Sequence, residues 1–223
     1  MTEKYIWLSY PLAIDGPRPP AIPAPKLESL YSIEKDKVKV QILTAPSHIG
    51  THIDAPGHVF EDGLTLLDFA PEEFIFSKPV VAELSADDGH IVTKKELEPL
   101  LPQITEADIA LIRFGYSKIR HKDPERFTSQ CPGFGVDAAK LLKTACPNLK
   151  GLGVDVPSVL CIAHLEETMP VHNILLEGKN SKFLIIEEMK LDEDLPKLCE
   201  VRLQPWLVSG MDSAPCSIVG LVD

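Results

Sequence analysis

Apolar positions along this chain fall in short runs of strand length, separated by segments with helical spacing, turns or prolines. Residues 5–10 read as a first strand. Val38-Lys39-Val40-Gln41-Ile42-Leu43 mostly alternates apolar and polar side chains, the two-residue period of an extended segment. Further strands are expected at residues 79–84, 108–114, 152–155 and 183–186. Between them, residues 136–146 place Ala138, Leu141, Leu142 and Ala145 on one helical face, with Pro147 beyond the end. Thr93-Lys94-Lys95-Glu96 has the form of a capping box, opening a short helix that stops near Pro99 or Pro102. Strands alternating with helices imply an α/β sheet with some parallel pairing. Residues 11–25 break the rhythm. They hold six of the 20 prolines and are expected to run extended across the surface or over a site.

Within this frame one run stands apart: Ser47-His48-Ile49-Gly50-Thr51-His52-Ile53-Asp54-Ala55-Pro56-Gly57-His58. Three imidazoles and a carboxylate within eleven residues make the usual ligand set for zinc, with manganese or iron also served. Crowded without a partner, such groups would carry a desolvation cost. As a continuous strand, His48 to Asp54 would span roughly 20 Å at ~3.3 Å per residue, too far to share one ion. As a helical turn, His48 and His52 would stand on one face about 6 Å apart along the axis. Gly50 and Pro56-Gly57 oppose a long helix. A compact turn at the end of the extended segment 38–43 fits best, a usual address for chemistry.

Length and composition narrow the setting. The 223 residues suit a single domain over 1–223, large enough to bury a core. Hydrophobic residues make up 44% and charged residues 25%, a globular balance. A net charge of −11 argues against nucleic acid as a partner. No apolar run approaches the ~20 residues of a membrane span, and the N-terminal stretch lacks the form of a signal peptide. Five dispersed cysteines without a Cys-x-x-Cys pair suit reduced, mostly buried thiols and a cytoplasmic location.

The string His-x-Gly-Thr-His-x-Asp-x-Pro-x-His, complete from His48 to His58, resembles the signature of the metal-dependent hydrolases called the cyclase family, to which bacterial kynurenine formamidase and isatin hydrolase belong. Cys131-Pro132-Gly133-Phe134, Gly153-Val154-Asp155-Val156-Pro157-Ser158 and Gly210-Met211-Asp212-Ser213-Ala214-Pro215 follow in the family's order. The resemblance implies a swivelling β/β/α fold with a mixed, partly barrel-like sheet. It also implies that His48, His52 and Asp54 hold one divalent ion, zinc or manganese. Asp54 and Glu187 would bridge to a second ion held by His172, where two ions bind. His172 begins an Asn-Ile-Leu-Leu segment and Glu187 closes the next apolar run, as in the family; the extra residues between them are expected in a loop at 178–182. Glu188 is adjacent, and a one-residue shift would exchange the two faces; the place directly after the apolar run favours Glu187. His58, which Pro56-Gly57 can turn away from the metal, would be the catalytic base and acid. The implied reaction is hydrolysis of a C–N bond in a small amide, formamide or cyclic amide, by a homodimer or higher homo-oligomer.

Some features lie outside that pattern. Residues 13–20 hold no aromatic side chain to stack on an aryl substrate, whereas Arg18 offers a partner for a substrate carboxylate or serves as a loop arginine. His164 is read as a supporting or surface residue, and His90 and His121 as solvated. A two-His, one-carboxylate set also serves non-haem iron, so a metal-dependent dehydratase or oxygenase is the second reading. A binding protein retaining the fold is the third.

Overall fold

A computed structural model describes residues 4–178 and 180–222. The first strands are Lys4–Trp7 (β1), Lys26–Tyr31 (β2), Val40–Thr44 (β3), His52–Asp54 (β4), Ile75–Phe76 (β5), Pro79–Glu83 (β6) and Ile91–Val92 (β7). Ile109–Arg113 (β8), Gly133–Phe134 (β9), Gly151–Val154 (β10), Leu184–Glu187 (β11), Leu198–Pro205 (β12) and Ser213–Val222 (β13) follow. Eight strands form a mixed sheet in the order β5-β12-β13-β4-β11-β10-β8-β6, with β1 added on β13. β6, β8, β10 and β11 run parallel, as the alternation with helices implied. On the other side of β4 every pairing is antiparallel. β12 also approaches β6, so the ends of the sheet curl toward each other in a barrel-like form.

β4 joins the two halves. It is three residues long, yet it pairs with β11 on one side and β13 on the other. Because neighbouring side chains alternate faces, Ile53 enters one core with Ile186, Ala214 and Leu8, while His52 and Asp54 turn to the opposite face. That face is bordered by a second core built on Leu152, Ile185, Val171 and Leu175. The expected compact turn is therefore confined to 48–51, and residues 52–54 are strand. Gly50, at φ +61, reverses the chain in the left-handed region and returns His48 to the cluster.

Most expected elements appear within a residue or two. The helix Val136–Ala145 buries Ala138, Ala139 and Leu142. The segment from Thr93 differs: after Lys94–Leu97 a 3-10 turn, Glu98–Leu100, leads into a further helix, Leu101–Ile104. Pro99 and Pro102 each fall in the first turn of the next segment, where a missing N–H costs little. The first strand ends at Trp7, and Ser9 makes only an isolated bridge to Met189. The loop at 178–182 turns at Gly178, whose carbonyl accepts from Ser181 N at 2.9 Å; Lys179 lies outside the described residues.

The turn after β10, residues 155–161, is pinned from outside by β9. Phe134 N donates to Val159 O at 2.8 Å. A Cβ on Gly133 would lie 2.1 Å from Cys161 N and 2.2 Å from Leu160 C, both backbone atoms with no rotamer to yield. Replacing Gly133 by Ala is expected to destabilise the fold by about 3 kcal/mol through overpacking, read as a lower urea midpoint at unchanged slope.

Candidate metal centre

Three elements converge on the face of β4 that carries His52 and Asp54. Register places Glu187 of β11 directly opposite His52. His172 enters from the helix Pro170–Leu176, where it is buried beside Val171, Leu175 and Leu176. His58 arrives on the 3-10 turn Pro56–His58. That turn does not direct its ring away. The His58 ring centroid is 4.2 Å from that of His48 and 5.2 Å from that of His172.

The donor atoms crowd together in overlapping groups: His48, His52 and Asp54 each offer an atom within 4.8 Å of the others, and so do Asp54, His58 and His172. His52 Nε2 and His172 Nε2 each lie 3.3 Å from a Glu187 oxygen, and 3.7 and 3.6 Å from Asp54 oxygens. His48 Nδ1 is 3.0 Å from Asp54 Oδ1. His52 Nε2, His172 Nε2 and both Asp54 oxygens are buried without a hydrogen-bond partner, a costly state for polar atoms. Two ligand atoms each ~2.1 Å from one tetrahedral ion would lie about 3.4 Å apart. The observed spacings are those of such a shell, so the residues fit a divalent ion.

Neighbouring groups orient these atoms. His52 Nδ1 is 2.7 Å from the Gly50 carbonyl; with the proton on Nδ1, Nε2 presents a lone pair to the centre, the usual arrangement for a metal-facing imidazole. Ser158 Oγ and Val159 N donate to Glu187 Oε1 at 3.1 and 2.8 Å.

Glu188 goes elsewhere. Its φ of +53 puts it in the left-handed region, rare for a residue with a side chain. The reversal carries its carboxylate behind the strand to Arg120, whose Nε and Nη2 donate to Oε1 at 2.9 and 2.6 Å. Both partners are buried. The Arg120 guanidinium also stacks over Tyr10 at 4.0 Å, and Thr51 Oγ1 donates to the Glu188 carbonyl at 2.6 Å. Of the two adjacent glutamates, Glu187 is thus the one that faces the cluster.

The sequence reading placed Asp212, just ahead of β13, in a family-like run but gave it no role in the site. Its Oδ2 lies 3.5 Å from His58 Nδ1 and 3.6 Å from His48 Nε2, and Ser213 Oγ donates to it at 2.6 Å. A lone acidic residue before a strand carries little signal in one sequence; only the closure of β13 against β4 brings it here. The other candidates stay outside. His164 is half exposed beside Glu167, and His90 bonds to Glu96. His121 stands edge-on to Tyr10, and Arg18 reaches only its own loop carbonyl at Gly16. A cavity of about 590 Å³ is lined by Ile49 and Thr51 together with Trp7, Tyr10 and Trp206, and by none of the clustered side chains.

The family pattern described as "Putative cyclase" matches residues 6–159. This chain belongs to that family. Kynurenine formamidase of Bacillus anthracis is 28% identical over 98% of this chain and 97% of its own length. An uncharacterized Haemophilus influenzae protein is 31% identical over 50% of this chain and 79% of its own. Isatin hydrolase A from Labrenzia aggregata, solved with benzyl benzoate, superposes with a TM-score of 0.81 at 19% identity, covering 99% of this chain and 94% of that one. The fold of the cyclase family is therefore present from end to end.

Electrostatics of the ion-free cluster follow from the same contacts. Burial disfavours a charged His172, but the facing carboxylates of Asp54 and Glu187 overcome it and raise its pKa to about 9. Burial of Glu187 is likewise outweighed by His172 and His52, which bring it down to about 2. These shifts describe the same ion pairs and count once. Because His172 is raised, its contribution to stability is complete below ~6.5 and is lost as pH climbs through about 9. Chelated protein is therefore expected to melt at progressively lower temperature across that interval; a melting temperature that rises there would contradict the assignment.

Arg120 supplies a second check. Removing one partner of a buried ion pair leaves the other charge stranded, at a cost of about 3–5 kcal/mol. Arg120→Met is expected to lose that much in urea unfolding, and Arg120→Met/Glu188→Leu to regain most of it.

Proposed function

We propose that this chain is a metal-dependent hydrolase that cleaves the C–N bond of a small amide, formamide or cyclic amide. The observation that carries the reading is the set of buried, unpartnered donor atoms on His52, Asp54 and His172, with Asp54 shared between two ligand-spaced groups, His48-His52-Asp54 and Asp54-His58-His172. His48, His52, Asp54, His172 and Glu187 would hold one or two divalent ions, zinc or manganese. The naming of relatives as kynurenine formamidase and isatin hydrolase supports the reaction class. A bound divalent ion supplies a polarised carbonyl and a water acidified from 15.7 toward ~7.

The chain's own groups account for the proton. His58 Nδ1 faces the Asp212 carboxylate at 3.5 Å. A proton shared there leaves Nε2 as the lone-pair atom that accepts hydrogen from the attacking water and returns it to the leaving nitrogen. Asp212 would hold that tautomer, since hydrogen bonds from His48 and His58 keep its carboxyl far below the ordinary range despite partial burial. No side chain need form a covalent bond to the substrate.

Absent an aromatic residue at 13–20, formamides and cyclic amides without an aryl ring belong in the substrate panel beside aryl ones. Self-association as a homodimer or higher oligomer, a cytoplasmic location and one catalytic unit over 1–223 belong to the same reading. No helix among the described residues is long and apolar enough to cross a membrane.

Elemental analysis of protein purified without chelator tests the centre. Near-stoichiometric zinc or manganese is expected, strongly reduced in His52→Ala. With the centre intact, His58→Gln is expected to retain its metal and to lose about 10²–10⁴-fold in kcat. Full activity in that variant, or metal-free protein that shows no thermal stabilisation by zinc, manganese or iron, would overturn the mechanism.

A further inference from the structure

The cavity of about 590 Å³ beside Ile49 and Thr51 has no part in the reading above, since none of the clustered His, Asp and Glu side chains lines it. Its size falls among pockets that hold small ligands, roughly 300–1,000 Å³. Both of the chain's two tryptophans, Trp7 and Trp206, stand in its wall with Tyr10. They are 61% and 46% exposed. Aromatic surface left open to water and gathered round a concavity marks a place of contact.

Charge narrows what makes that contact. Lys190 and His121 border the cavity, and among the described residues no Asp or Glu lines it, in a chain with 33 acidic residues and a net charge of −11. Lys190 Nζ lies 3.4 Å from a carboxylate oxygen of Asp192, but both side chains are partly exposed, and surface pairs of this kind are weak. The lysine is therefore available to a carboxylate that a ligand brings. The wall is also held in place beforehand. Tyr10 N donates to Thr51 Oγ1 at 3.0 Å, and Cys216 N to Thr51 O at 2.9 Å. Lys190 N donates to Leu8 O at 2.9 Å, and Trp206 N to Pro215 O at 3.3 Å. The Arg120 guanidinium, stacked on the Tyr10 ring, steadies that side chain. A site fixed in this way loses little further freedom when it binds.

We propose that this cavity is a binding site for a small aromatic carboxylate, with its ring among Trp7, Tyr10 and Trp206 and its carboxylate at Lys190. A planar ring gains offset or edge-on contacts with indole and phenol, and an ammonium–carboxylate hydrogen bond is stronger than one between neutral groups. The site is separate from the hydrolytic reading and needs no metal. It shares one piece of backbone with the candidate centre. Ile49 and Thr51 line the cavity, while their neighbours His48 and His52 reach the cluster. Thr51 Oγ1 also donates to the carbonyl of Glu188, next to Glu187. A ligand seated on Ile49 and Thr51 therefore bears on the segment that positions two of the donor side chains.

Isothermal titration calorimetry of the purified protein with 2-naphthoate, beside its neutral analogue 2-acetylnaphthalene, tests the site. The acid is expected to bind once per chain, with an affinity unchanged by EDTA treatment and in His52→Ala. Lys190→Met is expected to weaken the acid about tenfold, the loss of one charge-assisted hydrogen bond, and to leave the ketone as it was. Trp206→Ala is expected to weaken both. Neither side chain is buried, so both variants are expected to keep the wild-type far-UV circular dichroism and a cooperative melt. No binding at millimolar naphthoate, or equal affinity for acid and ketone, would overturn the proposal. Binding that EDTA abolishes and Trp206→Ala leaves intact would overturn it too, because the carboxylate would then sit on a metal at the candidate centre. Metal content is read separately: a metal-free chain that binds the acid loses the hydrolytic reading alone.

Discussion

The alternation of side chains along His52-Ile53-Asp54 sets the geometry of core and centre together. A strand hydrogen-bonded on both edges has no freedom to slip, and a shift by one residue would send Ile53 into the polar cluster and two charged groups into a hydrophobic core. Anchoring Ile53 among Ile186, Ala214 and Leu8 thereby fixes where His52 and Asp54 point. The pairing partners inherit that register. Glu187 is brought opposite His52 by β11, and Asp212 is delivered beside His48 and His58 by β13.

A concentration of buried charge this high needs its own support. The clustered face is held by neutral groups, namely the Gly50 carbonyl as acceptor and the Ser158 hydroxyl and Val159 amide as donors, which orient side chains without adding charge. Behind the strand, the Arg120–Glu188 pair is compensated within itself and braced by Tyr10 and Thr51. The left-handed turn at Glu188 separates the two environments, so that consecutive carboxylates face different partners across a single peptide unit.

Much of this was legible in the sequence because it depends on local spacing. The motif from His48 to His58 named four of the side chains that the structure brings together, and the apolar run before Glu187 marked where a strand would end. What was not legible depends on distant segments meeting. β4 could not be told from a turn, since a strand of three residues has no periodicity of its own. β12 and β13 went unread although Ala214, Cys216, Ile218, Gly220 and Val222 alternate; Pro215 within the run argues against a strand interior, and its place in β13 beside β4 is apparent only in the sheet. The apolar alternation of residues 38–43 did become strand from Val40 on, but in an exposed ribbon, because period reports a conformation and not what covers it.

Exposure across the cluster is one-sided. His52, Asp54, His172 and Glu187 are nearly closed off, whereas the side chains of His48, His58 and Asp212 keep between 27% and 33% of their surface open. Whatever reaches the floor must pass those three. An ion and a substrate would then share one entrance, with His58 and Asp212 standing at its rim. Traffic through it would be competitive: a molecule lodged at the rim would slow the departure of an ion beneath it, and a chelator would have to enter by the route that a substrate would take.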